Sequence, residues 1–292
     1  MTYGSATVAE NVPAYMRHIY GGNASPEVIK DFQRRYRLVG HSPLIEITRD
    51  QATALQKALG PNYVVRAAML HSAPFIGEAV AECKKAGATK LVGIILSPQF
   101  SSFIMEGYRT ALIAAAGQHG FAEADVRVAA PWPDEPRFIK LLARRVKDAL
   151  QKLRDLHARP VPVVFTTHSL PERVVAKDPR YLEQLTATIS AVRRSLDPAL
   201  EWYAGYQSAG HTPEAWLQPD LVDILAKVAR KKAPAVLIVP VQFLADHLEI
   251  LYDLDRAASE QCAEYGIAYE RIALANTDPL FIAALAAIAK RS

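Results

Sequence analysis

The sequence contains few cysteines, no long apolar run and no strong excess of charge. Of its 292 residues only Cys83 and Cys262 are cysteines, and they lack the close spacing of a metal or redox motif. Such isolated thiols are typical of a reducing compartment, so we expect a cytoplasmic protein. No apolar stretch reaches the roughly 18 residues of a membrane-spanning helix, and the first residues lack a signal-peptide pattern. The net charge of +4, with acidic residues between the basic ones, does not indicate nucleic-acid binding.

Several well-known catalytic and nucleotide-binding motifs are also missing. No predicted strand is followed by a GxGxxG loop, a phosphate-binding P-loop or a GxSxG nucleophile elbow. The chain contains neither HExxH nor CxxC, so a closed zinc site of those types is excluded. The chemistry that remains is an imidazole and carboxylate site, suited to proton transfer or to a loosely held metal ion.

Half of the residues are apolar, and they alternate between short strand-like runs and longer helical segments. Strands are predicted at residues 63–70, 90–96, 126–130, 161–166, 202–206, 235–239 and 268–273. This alternation predicts an α/β fold with parallel sheets and helices on both faces.

The length predicts two domains, and a faint internal repeat supports two similar halves. Residues 94–100 resemble residues 238–243, so we place the boundary in a long predicted helix and expect domains at 1–145 and 146–292. We expect the last helix, from Pro279, to pack back on the first half. Residues 1–5 have the character of a strand end and the turn after it, so an α/β domain beginning at Met1 would lack its first strand.

Polar residues follow the predicted strands at the points where the strands end. They are His71 and Ser72, then Thr167, His168 and Ser169, then Gln207 and Ser208, and after the strand at 235–239 His247 and Glu249. Because the carboxyl ends of parallel strands meet at one edge, we expect such groups to converge. Glu249 and Asp253 are four residues apart and share one face of a predicted helix. A lone histidine is more often structural, and an acidic helix face is often merely solvated, but several segments delivering His or Glu to one edge favour a functional site.

These residues form motifs that resemble those of the ferrochelatases, above all the short bacterial branch that inserts iron into coproporphyrin III. The motifs are Thr167-His168-Ser169-Leu170-Pro171, Tyr206-Gln207-Ser208 through Trp216-Leu217-Gln218-Pro219-Asp220, and Val239-Pro240-Val241-Gln242-Phe243 through Asp246-His247-Leu248-Glu249. The resemblance covers nearly the whole chain, and these three motifs in this order are highly specific. It implies two Rossmann-like, chelatase-type domains, each a parallel sheet flanked by helices, with a porphyrin cleft between them.

The resemblance also implies roles for particular residues. His168 corresponds to the active-site histidine and Glu249 to its partner carboxylate, so both are expected to be catalytic and, together with Asp253, to bind metal. The expected substrate-binding residues are Tyr3, Ser42, Gln51, His71, Gln207, Ser208 and Trp216. The substrates implied are a porphyrin and ferrous iron. We expect no cofactor and no iron–sulfur cluster, a monomer, and transient contact with other haem-pathway enzymes.

The chain departs from the family pattern at two positions. Tyr20 stands where an arginine is usual, which removes one expected propionate contact, and Arg17 is a candidate to replace it. Ala257 stands at the third position of a carboxylate series that begins with Glu249 and Asp253, so an outer metal site should be weakened.

Two other functions are compatible with the sequence. One is a cobalt or sirohydrochlorin chelatase of the same architecture, although such proteins rely more on paired histidines. The other is a non-catalytic porphyrin or haem carrier, which would not need the His168 and Glu249 pair. The choice between coproporphyrin and protoporphyrin IX is also open at this point.

Overall fold

The computed structural model describes residues 1–210 and 212–292, which divide into two compact units. The first unit comprises Met1–Trp132, Ala245–Leu248 and Ala275–Ser292, and the second comprises Pro133–Leu244 and Glu249–Leu274. The chain therefore divides just before the long helix in which the sequence placed the boundary.

The first unit contains a small parallel sheet and six α-helices among its described residues. Strands β1 (Leu91–Gly93) and β2 (Val126–Val128) pair in parallel. The helices are α1 (Val12–Ile19), α2 (Pro26–Val39), α3 (Leu44–Leu59), α4 (Ile76–Lys85), α5 (Ser102–Gln118) and, at the end of the chain, α11 (Pro279–Arg291). Short 3₁₀ turns cover Ala9–Asn11 and Glu123–Asp125. Helix α11 packs on α3, and α4 packs on α5.

The predicted strand at residues 63–70 forms no ladder in the structure. Only Met69 makes isolated parallel bridges within this segment, to Thr2 and to Phe75. The start of α2 matches its sequence pattern, since Ser25 Oγ accepts the Val28 N–H at 3.3 Å and Pro26 occupies the first helical position.

The second unit contains a four-stranded parallel sheet in the order β4-β3-β5-β6. The strands are β3 (Val163–His168), β4 (Trp202–Gln207), β5 (Ala235–Pro240) and β6 (Ala268–Arg271). All six residues of β5 are buried, as the unbroken apolar run predicts for a central strand covered on both faces. The α-helices are α6 (Pro136–Leu156), α7 (Glu172–Lys177), α8 (Arg180–Arg193), α9 (Leu221–Arg230) and α10 (Ser259–Glu264).

The helix that follows β5 differs in type from the prediction. Residues Ile250–Ala258 form a π-helix, in which each N–H bonds five residues back, and α10 continues from it. Its buried residues are Ile250, Leu254 and Ala258, so every fourth residue packs against the core. The same spacing keeps Glu249 and Asp253 near one face, as expected for an α-helix.

The parallel sheets with flanking helices confirm the predicted α/β fold class. Within the described ranges, no helix is both long enough and apolar enough to cross a membrane.

Candidate active site

His168 is the last residue of β3, at the carboxyl edge of the second unit's sheet. Its neighbour across the sheet is Gln207, the last residue of β4. The parallel pairing of β3 and β4 thus brings together two residues that lie 39 positions apart in the sequence and were both predicted as site residues. The carboxyl edge is where ligands bind in open α/β sheets.

The imidazole of His168 is oriented by a main-chain contact. Its Nδ1 atom lies within hydrogen-bonding distance of the Ser169 carbonyl oxygen. Because a carbonyl can only accept, we assign the proton of the neutral ring to Nδ1, which leaves a lone pair on Nε2. The free nitrogen is the one that faces the partner carboxylate.

His168 Nε2 lies 3.7 Å from Glu249 Oε2, and the two side chains are 28% and 35% exposed. Two ligand atoms of one metal ion are about 3–3.5 Å apart at bond lengths near 2.1 Å, so this pair lies slightly further apart than two ligands of one cation and is not directly hydrogen-bonded. No three His, Cys, Asp or Glu side chains form a metal-binding group in residues 1–210 and 212–292. The arrangement is therefore an open pair of acceptors, and the predicted catalytic residues His168 and Glu249 do meet.

A buried polar network beneath His168 was not predicted. Gln242 Oε1 accepts the His168 backbone N–H at 3.0 Å and the Thr167 hydroxyl at 2.7 Å. The Tyr181 hydroxyl lies 2.8 Å from the His168 carbonyl oxygen and 3.1 Å from the same Gln242 oxygen. Burial raises the pKa of Tyr181, so its hydroxyl remains a neutral donor. The apolar run that precedes Gln242 is the only hint in the sequence of a buried amide here.

Asp253 makes its contact with the predicted residue Ser208. The Ser208 hydroxyl donates to Asp253 Oδ2, and Ser208 has a positive φ of 59° in the loop after β4. The side chain of Gln207 points into the interior, where neither its Oε1 nor its Nε2 has a partner among the described residues. Gln207 is thus an unsatisfied buried amide beside the end of β3, a state that costs stability unless another group binds it.

Trp216 is held in the loop between β4 and α9. It forms an antiparallel bridge with Pro171, and its Nε1–H donates to Thr212 Oγ1 at 3.2 Å. The ring packs against Gly210, where a Cβ atom would lie 2.6 Å from a ring carbon. A residue with a Cβ atom at position 210 would therefore require the Trp216 ring or the main chain to shift.

In the first unit, Tyr3 and His71 lie together. Their ring centroids are 4.4 Å apart, and the main-chain N–H of His71 donates to the main-chain carbonyl oxygen of Tyr3 at 2.9 Å. A third ring, that of His18, lies 5.3 Å from His71 and was missed by sequence reasoning. Burial, and then the nearby His18, lowers the pKa of His71 from 6.5 to about 4. His71 is therefore neutral at physiological pH.

The other two residues predicted in the first unit are buried. Ser42 has no exposed surface and accepts the Ser5 hydroxyl at 2.9 Å. Gln51 is 2% exposed, and its Nε2–H donates to the Asn276 carbonyl oxygen at 2.8 Å. Their contacts are with the protein interior, and a role in substrate binding stays a prediction.

Two solved structures have a fold similar to that of this chain. SirB from Bacillus subtilis with Fe³⁺ matches with a TM-score of 0.57 at 16% identity, covering 83% of this chain and 88% of that one. CbiX, described as the terminal enzyme for the biosynthesis of sirohaem in denitrifying bacteria, matches with a TM-score of 0.52 at 16% identity, covering 86% and 92%. At these identities the likeness defines the fold, which is of the chelatase type.

The ferrochelatase family model matches residues 5–292, and the chain belongs to this family. A coproporphyrin III ferrochelatase from Geobacillus sp. (strain WCH70) is 33% identical over 297 residues, covering 99% of this chain and 94% of that protein. A ferrochelatase from Herpetosiphon aurantiacus is 33% identical over 288 residues, covering 97% and 94%. The coproporphyrin III ferrochelatase 2 of Bacillus anthracis is 32% identical over 299 residues, covering 100% and 92%. The predicted function, an enzyme that inserts metal into a porphyrin in haem biosynthesis, is confirmed at the level of the family.

Proposed function

We propose that this chain inserts Fe²⁺ into coproporphyrin III and that His168 and Glu249 form the site of insertion. The observation that carries the assignment of residues is the 3.7 Å approach of His168 Nε2 to Glu249 Oε2, with both side chains partly exposed at the carboxyl edge of the sheet. The choice of coproporphyrin is supported by the relatives from Geobacillus and Bacillus anthracis, whose names specify this porphyrin and which align along nearly the whole chain.

The reaction exchanges two pyrrole protons for one metal ion. A free-base porphyrin and Fe²⁺ give the iron porphyrin and two protons, with no change of oxidation state. His168 accepts one proton at Nε2, the nitrogen that its contact with Ser169 leaves unprotonated. Glu249 accepts the second proton or guides the cation, and once His168 is protonated the two form an ion pair that keeps the proton from returning to the ring.

An open two-residue site suits a metal that must leave. A closed cage of four protein ligands would hold iron too firmly for transfer to the macrocycle, whereas one imidazole and one carboxylate bind it weakly. Iron(II) lies low in the order of divalent affinities, so Cu²⁺ and Zn²⁺ should compete with it for these ligands. Asp253, held by Ser208, is proposed as an outer carboxylate on the route of the metal.

Three further expectations belong to this proposal. The enzyme needs no resident cofactor, since iron is a substrate. It works in the cytoplasm, in keeping with two free, buried cysteines. It is a monomer, which light scattering on the purified protein would test, and its contacts with other haem-pathway enzymes are transient.

Anaerobic assays with purified protein test the proposal directly. Initial rates with Fe²⁺ are compared for coproporphyrin III and protoporphyrin IX, with Glu249→Gln as the matched control. We expect multiple turnovers and a higher kcat/KM for coproporphyrin III. Stoichiometric porphyrin binding without turnover would instead indicate a carrier, and faster Co²⁺ insertion into sirohydrochlorin would indicate the other chelatase class.

A further inference from the structure

Helices α6 and α8 of the second unit pack against each other and leave a groove between them. Its volume is about 590 Å³, within the range of roughly 300–1,000 Å³ that ligand sites occupy. Its apolar floor consists of Ile139 and Ala143 from α6 and Ala191 from α8. Both alanines are buried, and their small side chains at the helix contact leave the groove open above them.

Four exposed cationic side chains also line this groove. Lys140, Arg144 and Lys147 follow one another at intervals of four and three residues, so they form one stripe along α6. At 1.5 Å of rise per residue the stripe is about 10 Å long. The fourth cation is Arg194, at the carboxyl end of α8. The α6–α8 groove thus has an apolar floor with positive charge contributed by both helices.

Three of these four cations have no counter-ion within the described part of the chain. In residues 1–210 and 212–292, the side chains of Lys140, Lys147 and Arg194 form no ion pair. Other exposed cations of the same unit do form one, as Arg180 does with Asp178 at 2.6 Å. The groove therefore carries positive charge that is available to an acidic ligand.

Two carboxylates in the lining restrict the kind of acidic ligand that fits. Asp134 lies just before the start of α6, and Asp148 directly follows Lys147 at the other end of the stripe. Four cations and two carboxylates give the lining a net charge of +2. The carboxylates would repel a ligand that is negative along its whole length, such as a nucleic acid or an anionic membrane surface. A single phosphate group cannot contact cations spread over about 10 Å.

We propose that the α6–α8 groove binds an acidic amphipathic helix of a partner protein. Carboxylates that repeat every three and four residues on such a helix match the spacing of Lys140, Arg144 and Lys147. Leucine-sized side chains beside them would cover the apolar floor and remove it from water. The charges select an acidic partner and speed its association, while the covered floor adds to the affinity. The groove lies within the second unit, and the proposal does not rest on metal insertion.

Fluorescence anisotropy with a labelled peptide and the full chain tests the proposal. The probe is a synthetic helix of about 16 residues, with glutamates at intervals of four and three residues beside a stripe of leucines. A second peptide carries glutamine in place of each glutamate. We expect Lys140→Glu and Lys147→Glu each to weaken binding of the glutamate peptide by about tenfold or more, and the glutamine peptide to bind the wild type at least about tenfold more weakly. The matched controls, Lys152→Glu and Arg154→Glu, make the same charge change at exposed positions of α6 outside the groove, and should alter binding by less than about threefold.

Three results would overturn the proposal. One is the absence of binding between the glutamate peptide and the wild type at low ionic strength. Another is an equal loss of binding in the groove variants and in the controls, which would show that net charge alone attracts the peptide. The third is cosedimentation with vesicles containing phosphatidylserine that Lys140→Glu and Lys147→Glu abolish, which would assign this surface to a membrane instead. These readouts do not involve metal insertion, so their failure would leave the proposed ferrochelatase site untouched.

Discussion

Gln242 holds the main chain of His168 through a single side-chain oxygen. Its Oε1 atom accepts the His168 N–H at 3.0 Å and the Thr167 hydroxyl at 2.7 Å, and the Tyr181 hydroxyl lies 3.1 Å away. Gln242, Thr167 and Tyr181 are all buried. The carboxyl end of β3 is thus held by buried groups, and these fix the main chain that carries the His168 imidazole.

Replacing Gln242 should therefore impair both folding and catalysis. Gln242→Met keeps the volume but leaves the His168 amide without its acceptor and leaves the Thr167 hydroxyl with only the Tyr181 hydroxyl, 2.8 Å away, as a partner. We expect a loss of about 1–3 kcal/mol in unfolding free energy, the usual effect of orphaning buried donors. We also expect kcat to fall by about tenfold or more, because catalytic groups must be held to within a fraction of an ångström.

Thr167→Val is the matched control for this network. It removes one donor but leaves the bond between Gln242 and the His168 amide. Denaturant unfolding should show a lower unfolding free energy for both substitutions, whereas the steady-state rate should fall only for Gln242→Met. If Gln242→Met loses stability yet keeps wild-type kcat, Gln242 does not position His168.

His168→Ala should abolish metal insertion in a folded protein. Removal of a positioned general base typically costs 10²–10⁴-fold in rate. His41→Ala is the control, since His41 is half exposed and pairs with Glu46 rather than with the site. Circular dichroism should match the wild type for both variants. Turnover above about a tenth of the wild-type rate in His168→Ala would exclude this residue as the proton acceptor.

The fold class and the strand ends that carry His168 and Gln207 can be predicted from the sequence. Both depend on the local pattern of apolar residues and on where each strand stops. The predicted strands at 161–166 and 202–206 stop one or two residues before His168 and Gln207, and the parallel pairing of the two observed strands places these residues side by side. The π-helix after β5 was missed because its buried residues, Ile250, Leu254 and Ala258, have a four-residue spacing that an α-helix also accommodates.

Contacts between distant segments could not be predicted in this way. Gln242 approaches His168 from 74 residues away, and the motif that contains it gives no indication of which atom it contacts. The burial of Ser42 and Gln51 likewise results from tertiary packing. The segment at 63–70 has a clear strand pattern but makes no ladder, because a ladder requires a neighbouring strand as well as propensity.

His71 should make the fold less stable in mild acid. Its pKa is lowered from 6.5 to about 4, so between these values the unfolded chain binds more protons than the folded one. The stability that the neutral ring contributes is complete above pH 6.5 and is lost as the pH falls toward 4. The groups packed around it are the rings of His18 and Tyr3.

Urea unfolding at pH 7.5 and pH 5 measures this effect. We expect the wild type to lose on the order of 1–2 kcal/mol more than His71→Gln between the two pH values, after allowing for partial exposure. His18→Gln should reduce the pH dependence by a smaller amount, since burial is the larger cause. Identical pH dependence in the wild type and His71→Gln would show that His71 titrates normally in the folded protein.

Removing the charge of Glu249 and removing the charge of Asp253 should affect different kinetic parameters. Glu249 faces His168 Nε2, so Glu249→Gln removes charge at the reacting centre and should lower kcat by about 10²-fold or more. Asp253 is held by Ser208, one helical turn further on, so Asp253→Asn should alter the dependence on Fe²⁺ concentration and leave saturated turnover within about threefold. Ser208→Ala frees the Asp253 carboxylate without removing it and should give a weaker form of the same change. Initial rates measured over a series of Fe²⁺ concentrations distinguish these cases. Equal, large kcat losses for the two carboxylate variants would indicate one coupled site. An unchanged kcat in Glu249→Gln would refute the assignment of this helix to metal insertion.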